Sequence, residues 1–245
     1  MGAPEIYDQY ATKANWDRSE RLHRWNARRL LQHLAATTGL DPAASTLLEI
    51  GTGTGRVASA ASAWRRYEGV EPTNALRQMT RERCGVTVHD AALPNLPAEV
   101  QGFDAAIAIH VLEHAPDGYA ARAWLAAMGG AVRPGGFVLI ASPDLRDYRT
   151  SFWESDWSHG WPTTPHRIAD LMIDVGLTPI VVRSMRLGSL SPWNVAGHVA
   201  GGLIPTRPVD ALTRRYVGRP LATGVKIATL WGLAFVVGQV GAEPG

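Results

Sequence analysis

Between Asn15 and Ala36 the apolar residues Trp16, Leu22, Trp25, Leu30, Leu31 and Leu34 recur at approximately helical spacing among Arg, Glu and His, which predicts one or two amphipathic helices. Gly39 to Ser45 reads as a loop. After it the period switches repeatedly between two and about 3.6. The pattern predicts strand Thr46–Ile50, helix Arg56–Trp64, strand Tyr67–Val70, helix Thr73–Arg83 and a short strand Val86–His89. It continues with strand Phe103–Ile109, helix Gly118–Val132, a Pro134-Gly135-Gly136 turn, strand Phe137–Ala141, helix Thr164–Val175 and strand Leu177–Arg186. Leu187 to Lys226 is an irregular, Gly- and Pro-rich excursion with a helix near Val209–Tyr216, and a last apolar strand lies around Leu230–Val240. Strands alternating with helices in this way predict a parallel α/β sheet.

The apolar run Ile227–Val240 falls short of the roughly 20 residues that cross a bilayer, so a buried strand is expected and no membrane span. The chain has 245 residues, and one domain is the expected organisation. Lys and Arg number 24 against 22 Asp and Glu, and they form no stripe, so a nucleic-acid partner is not expected and a small acceptor is. The single Cys84 and an N-terminus without an apolar leader-like run point to the cytoplasm.

The strongest local signal is Glu49-Ile50-Gly51-Thr52-Gly53-Thr54-Gly55-Arg56, at the junction of the first strand and the first helix. Glycines there let the backbone turn tightly and approach a ligand, and a helix N-terminus offers unpaired N–H donors. A nicotinamide enzyme places G-x-G-x-x-G at the same point, but here Arg56 occupies the position of its third glycine and is too large for the close packing that glycine serves. Glu71 closes the second strand, where a carboxylate can accept from both hydroxyls of a ribose.

Five ordered stretches, LLEIGTGTGR, GVEP, HDAALPNLP, FDAAIAIHVLEHAPD and VRPGGFVLIASPD, resemble the class I S-adenosylmethionine (SAM) dependent methyltransferases, in particular the small-molecule group that includes the ubiquinone-biosynthesis O-methyltransferases. The resemblance covers roughly Thr46 to Leu177. It implies a Rossmann-like α/β fold with a seven-stranded, mostly parallel sheet, helices on both faces and an antiparallel last strand. It also implies SAM as cofactor and S-adenosylhomocysteine as product. Gly51, Thr52, Gly53 and Gly55 would lie against the methionine part of SAM, with Glu49 holding its ammonium through water. Glu71, followed by Pro72, would take the ribose, Asp90 the adenine amino group and Ala91 the adenine ring through its N–H. Ile109 and His110 would flank the methionine chain and the sulfonium. The domain would run from 1 to 245, with a helical cap at 1–44, a cofactor-binding core at 45–186, a substrate lid at 187–228 and the last strand at 229–245.

A sulfonium is already an activated donor, so the protein must mainly align the acceptor and exclude water. A hydroxyl acceptor must also lose a proton, and His is the usual group for that near neutral pH. In related enzymes the segment after the fifth strand lines the acceptor pocket, which makes His159 the first candidate base. Asp144, Asp156, His114 and His166 follow, and Glu113-His114 also reads as a structural helix start. Carboxylates and imidazoles there could hold Mg2+, but no compact ligand motif is present and no metal is expected. Trp153, Trp157 and Trp161, four residues apart, suit a sugar or another flat acceptor, with phenolic and lipid-linked acceptors as alternatives. The expected activity is methyl transfer to a small-molecule hydroxyl by a monomer or homodimer. Transfer to carbon or nitrogen, a nicotinamide-dependent oxidoreductase and a non-catalytic SAM-binding subunit are the rival readings.

Overall fold

The computed structural model describes residues 16–185, 206–217 and 232–241. Helix α1 (Trp16–Thr38) buries Ala27, Leu30, Leu31 and Leu34, one stripe of a 3.6-residue period. Then follow β1 (Thr46–Ile50), a 3₁₀ segment (Ala58–Ala63), β2 (Arg66–Val70), α2 (Asn74–Cys84), β3 (Thr87–His89), β4 (Phe103–Ile109), a 3₁₀ turn (Leu112–His114) and α3 (Gly118–Ala131). The chain continues through β5 (Val132–Pro143), the short helices α4 (Leu145–Tyr148) and α5 (Ser151–Ser155), α6 (Pro165–Asp174), β6 (Leu177–Met185), α7 (Thr206–Val217) and β7 (Leu233–Val240). The lid segments 187–205 and 218–228, the stretch before Trp16 and Trp193 lie outside the described residues.

The strands form one seven-stranded sheet in the order β3-β2-β1-β4-β5-β7-β6. All neighbours are parallel except that β7 runs antiparallel to both β5 and β6, between which it is inserted. Strand β1 is buried at every residue, as a parallel strand covered on both faces must be. Successive side chains feed two cores. Leu48, Ile50, Phe103 and Ala106 pack with Leu125 and Met128 of α3 and Ile168 and Met172 of α6. Leu47, Ala105, Ile107, Leu139 and Phe235 pack with Leu30, Leu31 and Leu34 of α1.

Local chemistry sets the element ends. Asp117 accepts from the N–H of Ala120 and caps α3, Thr164 caps α6 ahead of Pro165, and Gly85 ends α2 in the left-handed region at φ 65°. Three departures from the sequence pattern have physical causes. The helix expected over Arg56–Trp64 is a 3₁₀ segment, because the residues it buries repeat in threes, Val57 with Ala60 and Ala58 with Ala61 and Trp64. The Pro134-Gly135-Gly136 turn is an irregularity inside β5, which starts at Val132 and pairs with Phe103 before a shift of register. The tryptophans grouped as one acceptor surface are divided, since α5 stops at Ser155 and Asp156 is extended. Trp161 is buried against Gly118 and under Arg167, whereas Trp153 and Trp157 are 47% and 71% exposed.

Candidate functional site

After β3 the chain returns across the sheet to β4 on the far side of β1, so β1 and β4 flank the topological switch point, where open α/β sheets bind ligands at their strand C-termini. Register puts Ile50 beside Val70 and Ala108, and Val70 beside His89. Gly51, Glu71, Asp90 and His110 therefore leave their strands along one edge, and the expected cofactor residues converge there.

The loop after β1 turns through three glycines at positive φ, Gly51 at 74°, Gly53 at 51° and Gly55 at 79°, a conformation in which side chains are strained. A Cβ on Gly51 would stand 2.6 Å from Cγ2 of Val111, so the loop lies directly against the segment after β4. Glu71, 5% exposed, holds the loop in place: one carboxylate oxygen accepts from Gly53 N–H and the other from Thr73 N–H, each at 2.9 Å. Burial pushes the Glu71 carboxyl up against the opposing pull of those two N–H groups. A carboxylate offers about four lone-pair positions, so the two used here leave acceptor capacity for two hydroxyls.

Glu49, next to last in β1, is buried and takes a hydrogen bond from the hydroxyl of Tyr67, which reaches it diagonally because the residue opposite Glu49 is Gly69. Burial raises the Glu49 carboxyl to about 8, with the Tyr67 hydrogen bond opposing and the Glu71 charge adding to the rise. A group whose folded pKa is raised contributes stability fully below its unfolded value and loses it as pH climbs through the folded value. Glu49 should therefore stabilise the cofactor-free protein least at about pH 8 and above, the loss accruing from its ordinary 4.5 upward. Urea unfolding at several pH values should show Glu49→Gln removing a decline of up to about 1.4 kcal/mol per pH unit across that window. Parallel profiles for variant and parent would contradict the assignment.

Arg77 of α2, 6% exposed, ties the next strand ends together and was not singled out by the sequence pattern. Its guanidinium donates to the carbonyls of Glu71 and Pro72, to Asn74 and, at 2.8 Å, to the carboxylate of Asp90. Asp90 is 69% exposed at its side chain beyond β3, with Ala91 half-buried beside it.

At the ends of β4 and β5 a polar cluster sits against the same loop. His110 follows Ile109 at φ 54°, an unusual backbone for a residue other than glycine. Its Nδ1 lies 3.2 Å from one oxygen of Glu113, and the Ser142 hydroxyl donates to the other at 2.6 Å. Glu113 is completely buried. Burial opposes its ionisation, but the contacts with His110, His114 and Ser142 bring its carboxyl below the usual value. Its carbonyl accepts from the N–H groups of Gly160 and Trp161, at 2.9 and 3.2 Å, which seats the His159 loop on the 3₁₀ turn. A Cβ at Gly160 would come 2.5 Å from the carbonyl oxygen of Ala115, so only glycine permits that approach.

His159, 9% exposed, donates from Nδ1 to the carbonyl of Phe152, which leaves the lone pair of the neutral ring on Nε2. The ring of His114 stands beside it with centroids 5.0 Å apart. Asp156 accepts from both N–H and hydroxyl of Ser158, at 2.9 and 2.6 Å, so the Ser158 oxygen accepts from Nδ1 of His114 at 2.8 Å. Burial lowers the His114 pKa, with the Glu113 charge opposing. One donor atom from each of Glu113, His114 and His159 lies within 4.8 Å of the others.

Not every candidate joins this cluster. Asp144 is fully buried, caps α4, pairs with Arg146 at 2.6 Å and accepts from Ser184 at 2.5 Å, so both of its oxygens serve structure rather than chemistry. His166 is exposed on α6. Among the described residues no helix is long and apolar enough to cross a membrane.

A family described as a methyltransferase domain matches residues 19–182. No curated protein sequence matches significantly. Among solved structures, the N-methyltransferase NodS of Bradyrhizobium japonicum WM9 in complex with S-adenosylhomocysteine is similar, with TM-score 0.61 and 14% identity over 96% of this chain and 97% of that one. A chain of the complex between the Haloferax volcanii Trm112 methyltransferase activator and a methyltransferase has TM-score 0.64 and 16% identity, covering 96% and 97%. An enzyme of Galdieria sulphuraria described as a sarcosine dimethylglycine methyltransferase has TM-score 0.60 and 14% identity, covering 87% and 85%.

The chain belongs to the methyltransferase-domain family and has the fold of the class I methyltransferases, whose methyl donor is SAM. The strand-edge residues fit that group on their own terms. Gly53 has nothing within 4 Å of the position a Cβ would take, Glu71 keeps acceptor capacity, and the buried hydroxyl of Thr52 has no hydrogen-bond partner.

Proposed function

We propose that the protein transfers the methyl group of SAM to a hydroxyl oxygen of a small molecule, and that the His114–His159 pair is where the hydroxyl proton is drawn away. The observation that carries the reading is the placement of that pair: two imidazoles oriented through Nδ1, His114 on the segment whose Val111 lies against the cofactor loop and His159 on the loop seated upon that segment. A neutral amine already carries its attacking lone pair and would have less use for such a pair. SAM supplies the activated methyl. On this chain Glu71 would hold the ribose, Asp90 and Ala91 the adenine, Glu49 the ammonium by way of water, and Gly51, Thr52 and Gly53 the methionine portion, with Ile109 and His110 beside the sulfur. The exposed indole faces of Trp153 and Trp157 suit a sugar or another flat ring as acceptor. Residues 187–228 would serve as its lid within a single domain, and the cytoplasm is the expected compartment.

The test pairs a cofactor screen with an acceptor screen. SAM and S-adenosylhomocysteine at a hundred times their Kd should raise the melting temperature by roughly 5–10 °C, and NAD and NADP should leave it in place. Tritiated methyl should then appear on the oxygen of a sugar or phenol in a panel that also includes amines. Label found on amines and on no hydroxyl would overturn the oxygen assignment.

A further inference from the structure

Glu113 is the most deeply placed acidic group in the polar cluster, with no exposed surface at all. Its carboxylate meets one half-exposed imidazole and one serine hydroxyl, and among the described residues no Lys or Arg is paired with it. A fully buried carboxylate is ordinarily matched by a cation or a metal, and the groups that favour the charged form of this one include imidazoles, which are common metal ligands themselves. The two histidines beside it share a further property. Each is held through Nδ1, His159 by the carbonyl of Phe152 and His114 by the hydroxyl of Ser158, itself fixed by Asp156. That outer hydrogen bond is how metal-binding histidines are usually oriented, with Nε2 turned toward the ion.

We propose that Glu113, His114 and His159 bind one divalent first-row transition-metal ion and present it to the acceptor hydroxyl. The donor atoms already lie within 4.8 Å of one another. Bonds of about 2.0–2.1 Å place tetrahedral ligands about 3.4 Å apart, so closure needs movements on the order of 1 Å, small rotations of the rings about their Nδ1 anchors. Two imidazole nitrogens and one carboxylate oxygen suit Zn2+, Mn2+, Fe2+ or Co2+; Mg2+ and Ca2+ favour sites made wholly of oxygen. Three protein ligands leave a coordination position open, the arrangement of a catalytic rather than a structural site.

This inference rests on the reading of the protein as an oxygen methyltransferase and deepens it. With the acceptor hydroxyl on the ion, its proton leaves to solvent at a lower pH than from the free alcohol. The oxygen then attacks the methyl carbon of SAM, forming the C–O bond as the S–C bond breaks, with the electron pair of that bond staying on the sulfur of S-adenosylhomocysteine. The ion keeps its oxidation state throughout. His159 acts in this scheme as a ligand, and the ion lowers the proton's affinity in place of a free base. The sequence pattern expected no metal because Glu113 and His114 are adjacent while His159 arrives from a different loop.

The test uses tag-free, chelator-stripped protein and Co2+ alone, read by visible absorption and by equilibrium dialysis. One equivalent of Co2+ should bind the parent with d–d bands of nitrogen–oxygen coordination, and binding should weaken more than ten-fold in both His159→Gln and Glu113→Gln. Melting shifts with SAM on the same samples show that each variant is folded and that the cofactor site is intact. A parent that binds SAM but takes up no Co2+ overturns the metal proposal and leaves the methyltransferase reading standing. So does Co2+ uptake that persists unchanged in both variants, which would place the ion elsewhere. Co2+ binding that follows the predicted pattern, in a protein that methylates only amines, would support the site and overturn the oxygen reading instead.

Discussion

His159→Gln is expected to bind SAM as tightly as the parent does and to lose turnover by roughly 10²–10⁴-fold, the span that a positioned proton acceptor contributes. The ring is held from behind by the Phe152 carbonyl and flanked by Phe152 at 4.7 Å between centroids, so its orientation is fixed before any acceptor arrives. Glutamine can keep the bond to that carbonyl through its amide N–H, but it can neither accept a proton near neutral pH nor serve as an imidazole ligand. The loss follows from either role of the ring, and the Co2+ spectrum tells the two apart. Single-turnover methyl transfer measured with saturating SAM separates the chemical step from cofactor affinity. Full turnover in the variant would remove His159 from the reaction, leaving His114 as the nearer candidate.

The fold was legible where one physical constraint dominated a stretch. Strand Phe103–Ile109 has the same limits in the sequence pattern and in the structure, because its residues face two cores and admit no polar side chain beyond Asp104. Where two constraints compete the pattern misleads. Ala58 to Ala63 has the composition of an α-helix, yet its small side chains let the chain tighten to three residues per turn against α1. Of the tryptophans at spacing four, grouped in the sequence as an acceptor surface, Trp161 lies instead in the core, because α5 ends at Ser155 and the extended Asp156 turns the chain away. The reversed β7 carries nothing in its own periodicity that sets its direction or its place between β5 and β6; the direction follows from the resemblance to the family, and the place is seen only in the sheet order.

The site divides along the same line. Gly51, Glu71, Asp90 and His110 each stand immediately after a strand, so local sequence locates them and parallel pairing brings them together. The cluster around Glu113 is different, because its partners are distant in the chain: Ser142 lies 29 residues on and Ser158 lies 44 residues beyond His114. A His at −3 and another at +1 around a lone Glu was the one signal available, and it reads equally well as a helix start. Tyr67 and Arg77 were missed for a related reason, since a Tyr in a strand and an Arg in a helix become informative only once the register shows what they reach.

Glu71→Ala should damage folding and binding together. Its carboxylate accepts from the N–H groups of Gly53 and Thr73, and each donor left without a partner costs about 1–3 kcal/mol, so unfolding of the cofactor-free protein should lose roughly 2–6 kcal/mol. The freed Gly53 no longer holds the loop against Val111, and the ribose loses its acceptor, which should weaken SAM by a further 1–3 kcal/mol, roughly 5- to 150-fold. Glu71→Gln separates the two effects. Its amide oxygen still accepts from one N–H, while its NH2 faces the other donor, so it should recover part of the stability and little of the affinity. Urea unfolding without cofactor and calorimetry with SAM measure the two quantities independently. Unaltered SAM affinity in both variants would refute the ribose assignment even if stability fell, because the loop anchor and the ligand contact are distinct uses of one carboxylate.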